Sequence, residues 1–312
     1  MENLVSKYSA LEISRIIGEP LDPLKPFTHI VSIIAETDTA EPNEYVYYFD
    51  VLAPTNEVYL LASTGAITTE AVTPDTPTLF TFVDIGTKEF TVSLPALANA
   101  KEATLARKLR TINNALDMYE NSYMFSLMST ASGTSGFQHT LTSATMTFNY
   151  QNLIYMLQDI VDYADNYTLF VGSTIDRDML LWNWNDNKYQ SILDAFKDLG
   201  VTKIRMGHGD LSIDGATAAR PLTSNTAYLV GTSTTVGKPM LFVRKKLNDI
   251  DLLGAALKQD GTKPQRLVFA SPNPITTAGS SGTRYLAVGL TGYENIVAAC
   301  VNPYAVSRFI RA

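Results

Sequence analysis

The side chains that could do chemistry are few, and their spacing fits no common catalytic motif. The chain has three histidines, His29, His139 and His208, and no pair has the HExxH spacing of a zinc hydrolase. His208 lies in a GHGD loop near Asp210 and Asp214, where an aspartate bonds its own backbone in a turn more often than it binds a metal. The sequence therefore predicts no catalytic residue, no metal site and no bound cofactor.

Two further patterns resemble known sites only superficially. Residues 231–238, GTSTTVGK, are similar to a phosphate-binding loop, but five residues separate the glycines instead of four, and a proline stands where Ser or Thr would hold magnesium. We interpret them as a hairpin loop. The carboxylate pairs Asp176/Asp178 and Asp249/Asp251 have a two-residue spacing, which does not bring two side chains together on a helix.

The single cysteine and the two tryptophans also favour structural roles. Cys300 excludes an intrachain disulfide, and its apolar neighbours VAACV predict a small core residue. Trp182 and Trp184 could stack on a ligand, but at a predicted helix end they more often pack into a core or an interface.

Composition and charge restrict the class of protein further. The 312 residues are enough for one large domain or two ordinary ones, and no apolar run reaches the roughly 18 residues that span a bilayer. The start of the chain, MENLVSKYSALEIS, lacks the pattern of a secretion signal. The net charge is −7 overall, but residues 1–95 carry 4 basic and 14 acidic side chains, whereas residues 96–312 carry 20 basic and 17 acidic ones. We expect the acidic N-terminal third to lie on a mildly basic surface of another copy of the chain.

The elements that would have to position any site are clearest in residues 58–128. An extended segment with an irregular, Thr- and Pro-rich turn returns through residues 80–94, where apolar residues alternate with the period of a strand. A helix of about 45 Å is then predicted over residues 97–128. Its apolar stripe has helical spacing and consists of Leu105, Leu109, Ile112, Leu116, Tyr119 and Tyr123. A projecting two-stranded arm is marginal by itself, so we expect another chain to cover it.

The remaining segments predict an α/β or α+β fold. Residues 29–36 and 44–52 have the β-branched and aromatic composition of strands, residues 129–142 that of a Gly/Ser/Thr loop, and residues 150–163 the pattern of a helix. Beyond residue 166, helices come early and strands come late.

This order of elements resembles that of the major capsid proteins of tailed bacteriophages, which have the Hong Kong 97-like fold. The resemblance covers nearly the whole chain. Its most similar pieces are residues 155–199 and the terminal VNPYAV, residues 301–306. It implies an N-arm at residues 1–28, P-domain strands at 29–57 and an E-loop at 58–94. It further implies a P-domain with the spine helix at 95–166, an A-domain at 167–293 and a closing P-domain strand at 294–312.

The resemblance also implies partners and contact residues. The subunit would form hexamers and pentamers of a shell in the virion, assembled in the host cytoplasm. It would work with a separate scaffolding protein, a portal and optional decoration proteins, contact packaged double-stranded DNA non-specifically, and have no membrane partner. The E-loop tip would contact a neighbouring subunit through Gly65, Thr69, Glu70, Pro74 and Pro77, and it contains no lysine for a covalent crosslink.

Three other functions stay open on the sequence alone. An encapsulin-like nanocompartment shell would share the fold but enclose cargo in place of a genome. A tail or baseplate component of a phage is the next alternative, and an α/β enzyme of unrecognised type is the last.

Overall fold

The computed structural model describes residues 29–49, 78–87, 90–141, 147–180, 182, 192–206, 221–234, 237–247, 266–270, 275–278 and 284–311. Helices are α1 (Val31–Ile34), α2 (Leu94–Ser135), α3 (Tyr150–Ile160), α4 (Ser173–Leu180) and α5 (Ile192–Asp198), and a 3₁₀ turn spans Pro303–Ala305. The first eight strands are β1 (Ala35–Ala40), β2 (Val46–Phe49), β3 (Thr78–Thr81), β4 (Val83–Gly86), β5 (Phe90–Ser93), β6 (Gln138–Leu141), β7 (Asn166–Val171) and β8 (Val201–Arg205). The others are β9 (Thr226–Thr232), β10 (Met240–Lys245), β11 (Arg266–Ala270), β12 (Ile275–Ala278), β13 (Arg284–Cys300) and β14 (Val306–Arg311).

Helix α2 is longer at both ends than the sequence predicts. Its 42 residues correspond to about 63 Å. The predicted loop at residues 129–142 is wrong for its first half, because the helix continues to Ser135 through a Ser/Thr/Gly-rich stretch. There the hydroxyl groups of Thr130, Ser132 and Thr134 donate to helix carbonyls three or four residues earlier, and the burial of Ala131 and Ser132 outweighs the weak helix preference of the stretch. Gly136, with φ +79°, then ends it.

The first sheet is organised around the 17-residue strand β13. Short strands follow one another along both of its edges. On one edge, β10, β11 and β12 pair antiparallel with successive parts of β13, and β10 continues to β1 in parallel. The other edge carries β4 and β5, the returning limb of the predicted arm.

Helix α2 crosses this sheet at close range. A Cβ atom added to Gly292 of β13 would lie 2.4 Å from Cγ2 of Ile112, so only glycine permits this approach. The backbone of Gly292 also bonds the residue after β4, because its N–H donates to the Thr87 hydroxyl and its carbonyl accepts from Thr87 N–H. Below this crossing a continuous apolar core joins the helix, α1 and both large sheets; its central members are Ile34, Leu116, Met124, Phe125, Met128, Phe170, Tyr228, Phe242, Ile296 and Val306.

The second sheet has the strand order β6-β14-β9-β7-β8 in the described part of the chain. Helix α3 begins at the Asn149 side chain, which accepts a hydrogen bond from Asn152 N–H, and it buries Leu153, Met156, Leu157 and Ile160 against the sheet. The turn after α3 packs closely against β9 at Gly231. A Cβ atom at this position would lie 2.2 Å from Cβ of Ala164.

A separate two-stranded pair, β2 with β3, forms the base of the arm. Tyr47, Phe80 and Phe82 of this region pack on an apolar cluster of the first sheet. The ammonium group of Lys245 lies 4.8 Å from the ring centroid of Tyr45 and 5.4 Å from that of Phe82. The arm base is therefore fixed to the sheet by aromatic packing.

The strand pairings divide the chain differently from the segments expected from the sequence. Residues 240–245, 266–270, 275–278 and 284–293, placed in the A-domain segment, pair within the first sheet. Residues 306–311, expected to close the P-domain, lie between β6 and β9 in the second sheet. Residues 29–36 were expected to form a strand, but they form the α1 turn first and reach the sheet only at Ala35. In each case the partner strand is distant in the sequence, which local pattern does not reveal.

Candidate functional site

The residues predicted for subunit contact and for the helix core are only partly within the described structure. Gly65, Thr69, Glu70, Pro74 and Pro77 lie outside the described residues. Of the predicted stripe on α2, Ile112 and Leu116 are buried, Tyr123 is partly buried, and Tyr119 is 48% exposed and therefore outside the core. Leu105 and Leu109 lie in the helix, but in the part whose side chains are not described.

A cluster of charged side chains lies where α2 crosses the first sheet, and we call it the crossing cluster: His29, Asp117, Glu120, Arg244, Arg266 and Glu294. Its centre is Glu120, which is fully buried. Arg244 donates to both oxygens of Glu120 at 2.7–3.0 Å. His29 Nε2 lies 2.5 Å from Glu120 Oε2. The cluster joins the start of the described chain, α2 and three strands of the first sheet, β10, β11 and β13.

Arg266 extends the crossing cluster to a second buried acid. Its guanidinium group lies 2.6 Å from Asp117, 2.9 Å from Glu120 and 2.6 Å from Glu294. Glu294 is fully buried, and its Oε1 has no hydrogen-bond partner among the described residues. Arg266 is therefore the shared counter-ion of three carboxylates, Asp117, Glu120 and Glu294.

The two buried acids of the crossing cluster have opposite pKa shifts. Burial alone would raise the pKa of Glu120, but the His29 hydrogen bond and the charges of Arg266 and Arg244 lower it to about 2. Burial raises the pKa of Glu294 to about 7, because Arg266 compensates it only in part and the charge of Glu120 opposes its ionisation. Glu120 is thus a permanent anion at neutral pH, whereas Glu294 titrates near neutrality.

Three members of the crossing cluster, His29, Asp117 and Glu120, place potential ligand atoms within 4.8 Å of one another. The guanidinium groups of Arg244 and Arg266 already occupy the oxygens of Glu120 and supply the positive charge that the carboxylates require. The chemistry of this group is therefore that of a buried ion-pair network, and we assign no metal to it.

A serine, a histidine and an aspartate also meet on the second sheet without forming a catalytic triad. His139 Nε2 and the Ser307 hydroxyl both lie 2.7 Å from the same atom, Asp159 Oδ2. A triad requires the serine to bond the histidine, with the aspartate on the far side of the imidazole. Here both bond the carboxylate, so the serine hydroxyl is not activated and the arrangement supports the sheet instead.

The other chemical candidates have structural partners where the structure describes them. Asp176 pairs with Lys203 and Arg205, whereas Asp178 pairs with Arg311, so these two carboxylates do not converge. Trp182 donates to the carbonyl of Phe148 and stacks on Phe196. His208, Asp210, Asp214, Trp184, Asp249 and Asp251 lie outside the described residues.

Cys300 and the loop that resembles a phosphate-binding motif also lack the geometry of a reactive site in the described residues. Burial raises the pKa of the Cys300 thiol to about 11, so little thiolate exists at neutral pH. In the loop that resembles a phosphate-binding motif, Ser233 and Gly237 exchange two backbone hydrogen bonds, and the Lys238 side chain bonds the carbonyl of Ser32. This is the geometry of a tight reversal and not of an anion cradle before a helix.

Two exposed apolar surfaces are candidates for contact with other chains. The arm-base surface consists of Tyr45, Leu79 and Val83, which are 78%, 55% and 46% exposed. The tyrosine surface, at the far end of α2, consists of Tyr155, Val161, Tyr163 and Tyr304; Tyr163 and Tyr304 stack with ring centroids 5.3 Å apart. Large exposed aromatic groups of this kind mark interaction surfaces. Among the described residues, no helix combines the length and apolar character that a bilayer crossing requires.

Comparison with known proteins finds similarity in structure and not in sequence. No protein-family model matches the chain, and no curated protein matches it. A structure from Mycobacterium phage Adephagia superposes with a TM-score of 0.58 at 12% identity, covering 97% of this chain and 98% of that one. The capsid structure of the cyanophage P-SCSP1u gives 0.55 at 9% identity, with 95% and 91% covered. The capsid of an empty GTA particle gives 0.53 at 10% identity, with 95% and 94% covered.

The chain therefore shares its mixed α+β fold, over nearly its whole length, with phage capsid structures. The resemblance that the order of elements predicted is confirmed at the level of the fold.

Proposed function

We propose that this chain is the major capsid protein of a tailed bacteriophage, a structural subunit that assembles into the icosahedral head shell around the genome. The observation that carries the proposal is the match to phage structures, one of them a capsid structure, over 95–97% of this chain. A role without catalysis agrees with the partners of the two described histidines, since His29 pairs with Glu120 and His139 with Asp159.

In this proposal the domains of the Hong Kong 97-like fold follow the sheets. The P-domain consists of the first sheet with α2 as the spine helix. The A-domain consists of the second sheet with α3, α4 and α5. The E-loop leaves the P-domain through β2 and returns through β3, β4 and β5, and its tip at residues 65–77 reaches a neighbouring subunit. Residues 1–28 form the N-arm.

The partners follow from the same proposal. Copies of the subunit form hexamers and pentamers through the exposed surfaces, and the acidic N-terminal third meets the mildly basic remainder of a neighbour. A separate scaffolding protein, a portal and optional decoration proteins complete the head in the host cytoplasm. The packaged double-stranded DNA is contacted non-specifically, through its phosphates and without sequence readout.

The test is expression of the full chain, alone and with its neighbouring phage genes, followed by electron microscopy and nuclease treatment. Closed shells that protect double-stranded DNA from nuclease in the presence of the packaging genes are the expected result. A small soluble oligomer under all conditions would refute the shell. Closed shells that enclose protein cargo and never DNA would refute the head assignment while retaining the fold.

A further inference from the structure

Glu294 is the buried acid of the crossing cluster that the surrounding groups satisfy least. It is fully buried on strand β13, and its Oε2 accepts a hydrogen bond from Arg266 Nε at 2.6 Å. Its Oε1 has no hydrogen-bond partner among the described residues. An ionised carboxylate is costly to bury when one oxygen stays unpaired, so this position favours the neutral, protonated form.

The charges that face Glu294 do not balance either. From helix α2, Asp117 and Glu120 lie 2.6 Å and 2.9 Å from the guanidinium group of Arg266, which therefore compensates Glu294 only in part. Arg244, on strand β10, directs its guanidinium group to both oxygens of Glu120. Three carboxylates thus share two guanidinium groups, and one proton on Glu294 restores the balance.

Strand β4 lies beside Glu294 on the other edge of β13 and brings no charge to it among the described residues. Ile85 is the β4 residue in register with Glu294. The Asp84 carboxylate accepts hydrogen bonds from the side chains of Tyr293 and Asn295, which flank Glu294. Because neighbouring side chains of a strand point to opposite faces, Asp84 lies on the face away from the crossing cluster.

Helix α2 has a second anchor beyond the crossing. The ring centroid of Phe125 lies 5.9 Å from that of Phe170 and 5.6 Å from that of Tyr228, both on strands of the second sheet. The buried side chains of Met124 and Met128 belong to the same apolar core. The helix can therefore separate from β13 at the crossing while it stays packed on the second sheet.

We propose that the crossing of α2 and β13 is a proton-controlled latch, closed while Glu294 carries a proton and opening locally when that proton is lost. Burial raises the pKa of Glu294 from 4.5 to about 7 in the closed state, and exposure to water on opening returns it to its ordinary range. The stabilisation is therefore complete below pH 4.5 and is lost as the pH rises through 7. For these two pKa values, the opening equilibrium increases about tenfold between pH 6 and pH 8.

The experiment is amide hydrogen exchange of unassembled full-length subunits between pH 6 and pH 8, with each rate corrected for the pH dependence of intrinsic exchange. We expect the protection of residues 116–121 in α2 and 292–296 in β13 to fall about tenfold over this range. Residues 166–171 in β7 of the second sheet should keep their protection. In Glu294→Gln, which is neutral at every pH and similar in shape, the protection of the crossing should not change with pH.

Infrared difference spectra between pH 6 and pH 8 test the proton itself, without reference to exchange. The wild type should lose the band of a protonated carboxyl group as the pH rises, and Glu294→Gln should lack this change. Asp117→Asn relieves Arg266 of one carboxylate, so it should move the midpoint of the pH dependence to lower pH. Glu41→Gln, at an exposed ion pair, serves as the matched control and should leave the midpoint unchanged.

His29 also contacts Glu120, so His29→Gln tests whether the imidazole is the group that takes up the proton. The pH dependence should persist in this variant. Its loss in His29→Gln, its persistence in Glu294→Gln, or constant protection of the wild-type crossing would overturn the proposal. Equal changes in both sheets would also overturn it, because the proton would then be lost only in global unfolding.

Discussion

Replacing Glu120 by alanine removes the central anion of the crossing cluster and should be among the most damaging single substitutions in the chain. Arg244 and His29 bond its carboxylate directly, and Arg266 lies 2.9 Å from Oε1. The variant leaves two largely buried guanidinium groups without their main counter-charge. Breaking a buried ion pair in this way costs about 3–5 kcal/mol, a large part of the 5–15 kcal/mol by which a typical domain is stable.

An exposed ion pair provides the control for this prediction. Lys246 Nζ lies 2.5 Å from Glu41 Oε1, but both side chains are partly or largely in water. Glu41→Ala should therefore cost only about 0–1 kcal/mol, although it removes the same kind of contact. Urea unfolding of unassembled subunits, followed by circular dichroism, compares the two variants with the wild type through their midpoints at constant slope.

The pH dependence separates the charge of Glu120 from its packing. Its pKa is lowered from 4.5 to about 2, so the stability that the ionised form contributes is fully present above pH 4.5 and is lost as the pH falls toward 2. The gap between wild type and Glu120→Ala should shrink in the same interval. A Glu120→Ala cost no larger than that of Glu41→Ala, or a gap that does not change with pH, would refute this account of the cluster.

Three other variants test separate features of the fold and of the proposed function. Burial raises the pKa of Glu294 to about 7, so wild-type stability should rise as the pH falls from about 7 to 4.5, and Glu294→Gln should abolish this rise in melting temperature. Gly292→Ala should lower the free energy of unfolding by about 1–3 kcal/mol, because the new methyl group meets Ile112. Gly133→Ala, near the end of α2 where nothing lies within 4 Å, should raise it by up to about 1 kcal/mol. Urea unfolding measures both variants, and equal effects would contradict the close crossing of α2 and β13. Deleting residues 65–77 should abolish shells in electron micrographs and leave the circular dichroism spectrum folded, and normal shells from this variant would exclude the arm tip as an assembly contact.

The sequence determined the elements whose signals are local. The apolar spacing through Ile112 and Leu116 predicted the long helix, and alternation predicted the strands of the returning arm. The order of these elements was enough to predict the resemblance to capsid proteins. Periodicity reveals a helix or a strand because the element turns one face to the core, and its apolar residues then recur with its own period whatever element packs on that face.

Only the tertiary structure decided how these elements meet. The Ser- and Thr-rich end of α2 reads as a loop by propensity, but Ala131 and Ser132 are buried there, and tertiary packing of this kind routinely overrides a weak local preference. The sequence also did not indicate that β13 is one strand paired along both edges, or that β14 completes the second sheet.

The crossing cluster depended most on the tertiary fold. His29 and Glu120 are 91 residues apart, and Arg244 lies a further 124 residues along the chain. Each is an ordinary charged residue in its local context, and none has a spacing that predicts the others. Their pKa shifts and their contribution to stability arise from shared burial and a few ångströms of separation, which the chain acquires only when α2 is laid across the sheet.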